Sequence, residues 1–191
     1  VGLLAFFAGL ATDPATAWRA FHVNYLYWGV LAQGGIAVAC AFVIVGARWP
    51  GPARRIAEGL GAWAPLTLVL FLISFLGREH IYSPWLHSPP PGKEVYLNPT
   101  RLFVMDLAIF GWLAVLTVAF LYYSVRPTLG SLRERGGMFA RWTAGWRGDE
   151  AELEACAARC RTLAPILALS FAIGWTFIAF DQVMSLTPTW Y

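Results

Sequence analysis

Four apolar stretches constrain this chain more than any other feature: Phe21–Gly46, Leu60–Leu76, Leu102–Val125 and Leu163–Phe180. Crossing the hydrocarbon of a bilayer takes about 17–25 apolar residues in a helix, and each stretch meets that length. Charged residues are only 13% of the 191-residue chain and hydrophobic ones 58%, where soluble domains carry about a quarter charged. The reading is an all-α polytopic membrane protein, with four full transmembrane helices forming a bundle. A shorter apolar piece, Val1–Ala11, is expected to be the tail of a further helix. The whole of 1–191 is read as a single, partial membrane domain, with spans near 1–11, 21–46, 60–76, 102–125 and 163–187.

Arginines orient the bundle. Arg48, Arg54 and Arg55 follow the first full span, and Arg126, Arg133, Arg135, Arg141, Arg147, Arg159 and Arg161 follow the third. The positive-inside rule places both loops, including the long loop 126–161, in the cytoplasm. The loop 77–101 then lies outside, periplasmic in a bacterium. Its prolines suit a semi-rigid cap, with Trp85 and Tyr96 as interface anchors. Asp149 is a candidate N-cap, with Glu152 in capping-box position. The net charge of +3 carries no sign of nucleic-acid binding. Cys40 falls inside a span, and Cys156 and Cys160 are too few for a metal site, so no metal site is assigned.

Residues eleven apart share a helical face, because eleven residues make almost three turns. His22 with Gln33, Thr67 with Arg78, Asp106 with Thr117, and Ser170 with Asp181 all keep that spacing. Cys40, Ser74 and Ser124 extend three of the stripes, and Gly174 and Ser185 the fourth, whereas Asn24 and Thr176 fall off them. Polar groups in hydrocarbon are costly and face a bundle interior or a wet cavity. Four such stripes imply four polar faces that converge. Gly29, Gly34 and Gly35 are assigned to close helix packing. Depth groups the acids: Asp106 sits about 7 Å into its helix from the outer end, and Asp181 roughly 27 Å above the inner start of its own. Arg78, Glu79 and His80 close the second span at that level.

An outer pocket with two acids, an arginine, a histidine and aromatic walls suits a proton-releasing head on an apolar tail, such as a quinol. Asp181, His80 or Asp106 would take the proton. Arg78 would hold the quinone oxygen or fix the carboxylate, Met184, Trp175 and Phe177 would line the ring slot, and Gln33, Cys40 and Thr117 would form a proton path from the cytoplasm. Pairing of an acid with Arg78 or Arg101 as a purely structural ion pair is the alternative. His22 and His80 as axial haem ligands are a further one, but no CxxCH and no iron–sulfur cysteine set occurs.

The closing segment DQVMSLTPTWY, Asp181–Tyr191, resembles the D-x-x-M-S-L-x-P-x-W-[FY] signature of the ActF-like, NrfD/PsrC-like membrane subunit of alternative complex III, a bacterial quinol:cytochrome c oxidoreductase. VNYLYWGVLAQGG (Val23–Gly35), ARWPGPARRIAE (Ala47–Glu58) and FLGREHIYSPWLHSPPPGKEVYLN (Phe75–Asn98) resemble the same family. The resemblance implies the N-terminal half of a longer inner-membrane protein. It implies a lipid bilayer around the chain and partners comprising a second NrfD-like subunit, an iron–sulfur subunit and haem c subunits. Haem and iron–sulfur clusters would belong to those partners, with no covalently bound cofactor here and a quinone or quinol as ligand. A pure scaffold subunit, or a fragment of a proton or solute transporter, is the competing reading. Gln182 and Thr189 stand where the family often has an aromatic residue and His, which removes one proton acceptor.

Overall fold

A computed structural model describes residues 2–132, 137, 141 and 143–189 of the chain. Arg133, Arg135, Trp190 and Tyr191, used above for orientation and for the family signature, lie outside the described residues. The protein is an all-α polytopic membrane protein; among the described residues four helical spans are long and apolar enough to cross a bilayer: Pro14–Ile44, Gly51–Ile81, Pro99–Gly130 and Glu150–Leu186. In chain order the elements are α1 (Gly2–Thr12), α2 (Pro14–Ile44), α3 (Gly51–Gly61), α4 (Ala64–Ser74), α5 (Arg78–Ile81), α6 (Pro99–Gly130) and α7 (Glu150–Gln182).

The spans are longer than their apolar stretches. The first begins at Pro14 rather than near residue 21, the third covers Pro99–Gly130, and the fourth starts at Glu150 rather than near 163. A 31-residue helix is about 46 Å long, against about 30 Å of hydrocarbon, so its ends project into the polar zones. Hydropathy ends at the hydrocarbon, but backbone hydrogen bonding does not. The starts are set by caps. Asp13 accepts from the Thr16 N–H, with Pro14 in the first turn. Asn98 accepts from the Thr100 and Arg101 N–H groups ahead of Pro99. Asp149 accepts from the Glu152 N–H at 2.8 Å, as expected. The Glu152 carboxylate turns instead to the backbone N–H groups of Arg147 and Gly148 and to Arg126.

The second span is not one uninterrupted helix. Between α3 and α4, Ala62 and Trp63 bond three residues back, to Gly59 and Leu60. Pro65 causes this, because its ring excludes the carbonyl four residues earlier and offers no N–H. The result is a single tightened turn rather than an unwound segment. A second three-residue turn, Phe75–Gly77, leads into α5.

The polar stripes converge. His22, Gln33, Cys40, Thr67, Ser74, Asp106, Thr117, Ser124, Asp181 and Ser185 are all buried. The off-stripe Asn24 and Thr176 are exposed and bond carbonyls of their own helices. Two stripe residues are not buried: Arg78 is half exposed, beside Glu79 and over the Phe75 ring, and Ser170 is only partly buried and accepts from the Trp112 indole. Between the polar positions the bundle is filled by apolar side chains. One cluster joins Ile36, Leu113, Phe120, Cys160 and Leu167, and another joins Tyr25, Phe71, Phe110 and Ile178. The loop 77–101 folds back as a cap, but Trp85 is not an interface anchor. It is 1% exposed and packs with Ile81, Tyr82, Leu97 and Leu102 as the cap's own core.

Glycines set the helix spacing, although not all three assigned to that role. A Cβ on Gly29 would come within 2.6 Å of Thr67, and one on Gly35 within 2.9 Å of both the Ala57 carbonyl and Leu60. A Cβ on Gly34 would meet nothing within 4 Å. Gly35→Ala is therefore expected to lower stability by about 1–3 kcal/mol through overpacking. Gly34→Ala is expected to be neutral, or stabilising by up to about 1 kcal/mol. Thermal unfolding of the detergent-solubilised protein distinguishes the two.

Candidate functional site

The end of the bundle opposite the Arg54–Arg55 turn holds a sealed polar cluster. Asp106 reaches it from the second turn of α6, and Asp181 and Gln182 from the last turn of α7. All three are fully buried. His22 and Tyr25 share one face of α2, and Tyr82 follows α5 from the cap. The two aspartates, from separate spans, meet in one niche as the stripes imply.

Gln182 is the hub. Its amide Nε2 donates to Asp106 Oδ2 at 2.5 Å. Its Oε1 accepts from the Tyr25 hydroxyl at 2.8 Å and the Tyr82 hydroxyl at 2.7 Å. A carboxylate accepts and does not donate, so the amide has one orientation. The Gln182 backbone carbonyl lies 2.8 Å from His22 Nε2. A carbonyl only accepts, so Nε2 carries a hydrogen, and in the neutral form of the ring Nδ1 is the acceptor. Asp181 is held separately. Arg101 NH1 donates to its Oδ1 at 2.8 Å, while the same guanidinium stacks 4.0 Å above the Tyr96 ring and donates to the Tyr96 carbonyl. In the cap, burial first and the facing Asp181 carboxylate second hold the Tyr96 phenol well above its ordinary range, so it stays protonated. Lys93 of the cap ties to the Pro188 carbonyl at 2.7 Å.

Several assigned residues lie elsewhere. Arg101, not Arg78, pairs with the acid, because Arg101 lies in the first turn of α6 beside Asp181, whereas Arg78 emerges on the exposed side at the start of α5. His80 contributes its backbone carbonyl, to Arg19 and Ser83, and His22 provides the imidazole of the cluster. Phe177 faces outward, at 42% exposure. Trp175 lies nearly two turns deeper, edge-on to Phe110, and Met184 sits partly buried in the turn after α7. The four residues assigned to a quinone thus do not form a slot. The acids themselves are walled by Tyr25, Tyr82 and the cap, and the cavities of 320–720 Å³ elsewhere in the bundle are not lined by Asp106, Asp181 or Gln182. A quinone head does not fit this cluster as it is packed.

Gln33 and Thr117 do come together: the amide donates to the hydroxyl at 3.3 Å. Cys40, two turns on from Gln33, belongs to the apolar cluster with Cys160. Phe71, Phe110 and Ile178 fill the layer between the Gln33–Thr117 pair and the acids, so the polar positions do not form a continuous chain. Among the described residues, no three His, Cys, Asp or Glu side chains group to hold a metal ion.

No protein-family model and no curated protein matches the chain. The site is therefore read from its own geometry. Among the described residues, Asp106 Oδ1, Asp181 Oδ2 and His22 Nδ1 are buried without a hydrogen-bond partner. Three proton-accepting atoms from three spans thus sit in one niche around the Gln182 amide, whose own nitrogen and oxygen are paired. Sequence reasoning missed Tyr25, Tyr82 and the role of Gln182. The signal was present: Tyr25 is one turn from His22, and Gln182 adjoins the acid it helps to bury. It also passed over Glu58 at the opposite end, where a buried carboxylate binds Arg54 at 2.8 Å, Arg55 at 2.6 Å and the Ser124 hydroxyl at 2.5 Å.

Removing one member of a buried pair strands the other charge, at about 3–5 kcal/mol. Arg101→Gln is expected to cost near that amount. Asp181→Asn in the same chain should restore much of it, which a double-mutant cycle of unfolding free energies measures.

Proposed function

We propose that the chain is a membrane subunit of a quinol:cytochrome c oxidoreductase of the alternative complex III kind. It would sit in a bacterial inner membrane with its arginine-rich end in the cytoplasm. Its own part in the reaction is to handle protons near the outer face. The family likeness of the four quoted segments supports the assignment to such a complex. The single observation that carries the proton role is the niche of unpartnered Asp106 Oδ1, Asp181 Oδ2 and His22 Nδ1 around the Gln182 hub. Quinol would be oxidised on a partner subunit that also carries the iron–sulfur or haem acceptors.

Chemically, Asp106 is the acceptor of choice. Arg101 neutralises Asp181, whereas Asp106 accepts from an amide and, among the described residues, forms no ion pair, so proton uptake removes an uncompensated buried charge. Gln182 holds one oxygen of Asp106 and leaves the other for the proton. His22 presents Nδ1 as the next acceptor. The phenols of Tyr25 and Tyr82 hold the amide in register and exclude bulk water. Supply from the cytoplasmic side would run by Gln33 and Thr117 and requires the Phe71, Phe110 and Ile178 side chains to part.

A scaffold reading draws on one specific observation, the Arg101–Asp181 ion pair, which joins the starts and ends of two spans under the cap. The two readings part on Asp106→Asn in the intact complex reconstituted into liposomes. Proton release, followed with a pH-indicating dye, is expected to fall about 10²-fold or more, while cytochrome c reduction under uncoupled conditions persists. Loss of assembled complex with normal turnover in the remainder would favour the scaffold. Equal loss of both rates in fully assembled complex would return quinol chemistry to this site.

A further inference from the structure

At the arginine-rich end, a furrow of about 410 Å³ runs between the second span and α6. One wall is Gly59, Ala62 and Pro65; the other is Val118, Leu121, Val125 and Leu129. It follows α6 over about eleven residues, or roughly 16 Å. Its origin is the tightened turn at Ala62–Trp63. The small residues Gly59 and Ala62, with Pro65 just beyond, leave the facing α6 side chains uncovered there. Along its length the lining is apolar, and it is open to the lipid side.

The furrow's polar end is a built cationic site. Arg55, Glu58, Tyr122 and Arg126 line it. Arg55 is locked by Glu58, the Ser124 carbonyl at 3.0 Å and the Thr128 hydroxyl at 3.0 Å, yet its side chain remains 45% exposed. Arg126 bonds the Tyr122 hydroxyl and Glu152. Arg54, on the far side of Glu58, completes the group. Two guanidiniums, Arg54 and Arg55, therefore share the one carboxylate of Glu58, which leaves one net positive charge in this group at the polar end of an apolar furrow. A free fatty tail would not need that charge, and a neutral headgroup would not balance it.

We propose that this furrow binds an anionic phospholipid of the leaflet on the arginine-rich side, with one acyl chain against Gly59, Ala62 and Val118 and the headgroup phosphate at Arg55. Basic sites between membrane helices recognise such headgroups through charge-assisted bonds. The inference is independent of the proton role at the opposite end.

The test separates the tail from the head. Gly59→Leu fills the furrow; a Cβ at Gly59 meets nothing within 4 Å, so the helix itself tolerates the change. Leu129→Glu places a carboxylate at the headgroup end without touching the Arg55–Glu58 pair. The native assembly carrying this chain is delipidated, titrated with dioleoyl phosphatidylglycerol or dioleoyl phosphatidylcholine, and read by native mass spectrometry. The wild type is expected to retain one phosphatidylglycerol per chain, about tenfold more tightly than phosphatidylcholine. Gly59→Leu should lose it, and Leu129→Glu should lose the preference. Equal retention of the two lipids, or retention unchanged in Gly59→Leu, overturns the proposal. So does a cross-link from Val118 to a neighbouring subunit in place of lipid. If Gly59→Leu does not fold, Leu129→Glu decides alone: an unchanged preference for phosphatidylglycerol refutes the assignment.

Discussion

Two carboxylates enclosed at one end of a membrane bundle must each find a partner, and the way they do so organises that end of the protein. An ionised aspartate within a span costs about 2.5–3.5 kcal/mol to insert. Asp181 meets this cost with the Arg101 guanidinium, and Asp106 with the amide of Gln182. Each solution recruits further groups. Gln182 needs donors for its own oxygen and takes the Tyr25 and Tyr82 hydroxyls; Arg101 needs its flank covered and takes the Tyr96 ring. The cap is thereby bound to the bundle from several sides. Its apolar core, centred on Trp85, keeps water from the acids. The chemistry and the fold of this end are one set of interactions.

The opposite end handles charge differently. There the buried carboxylate, Glu58, is outnumbered by arginines and bridged to α6 through Ser124 and Thr128. One end thus keeps unpaired proton-accepting atoms in a closed niche. The other keeps excess positive charge beside an open, lipid-facing furrow. Between them lies an apolar layer of aromatic and branched side chains. The proposed proton handling at one end and the proposed anionic-lipid contact at the other are compatible within one chain because that layer isolates them. The two ends also respond differently to their surroundings, since salt and lipid charge act on the exposed arginines but are screened from the sealed acids.

Much of the site was legible in the chain because of a simple physical rule. A polar residue in hydrocarbon is buried against something, so the eleven-residue stripes named His22, Gln33, Asp106, Thr117 and Asp181 as inward-facing. Their burial follows, and the off-stripe Asn24 and Thr176 lie outside. Partner choice did not follow from the stripes. Arg78 and Arg101 are both near the right depth, and only the direction in which each leaves its helix assigns the ion pair to Arg101. His80 and His22 present the same ambiguity. Gln182 looked like a departure from a family pattern; in the folded chain it is the residue that connects three spans and the cap.

The amino-acid sequence by itself determined that there are four apolar spans, the Asp149 cap, the arginine asymmetry and the inward polar faces. These depend on local quantities: the apolar length needed to cross a bilayer, the hydrogen-bonding habit of Asp before a helix, and helical periodicity. Tertiary structure decided which acid meets which base, that Trp85 packs inward rather than anchoring at an interface, that Gly35 is a contact and Gly34 is not, and where Pro65 opens a furrow. Those outcomes depend on the rotation and separation of neighbouring helices. Both are set by side-chain packing between segments far apart in the chain, and no local pattern encodes them.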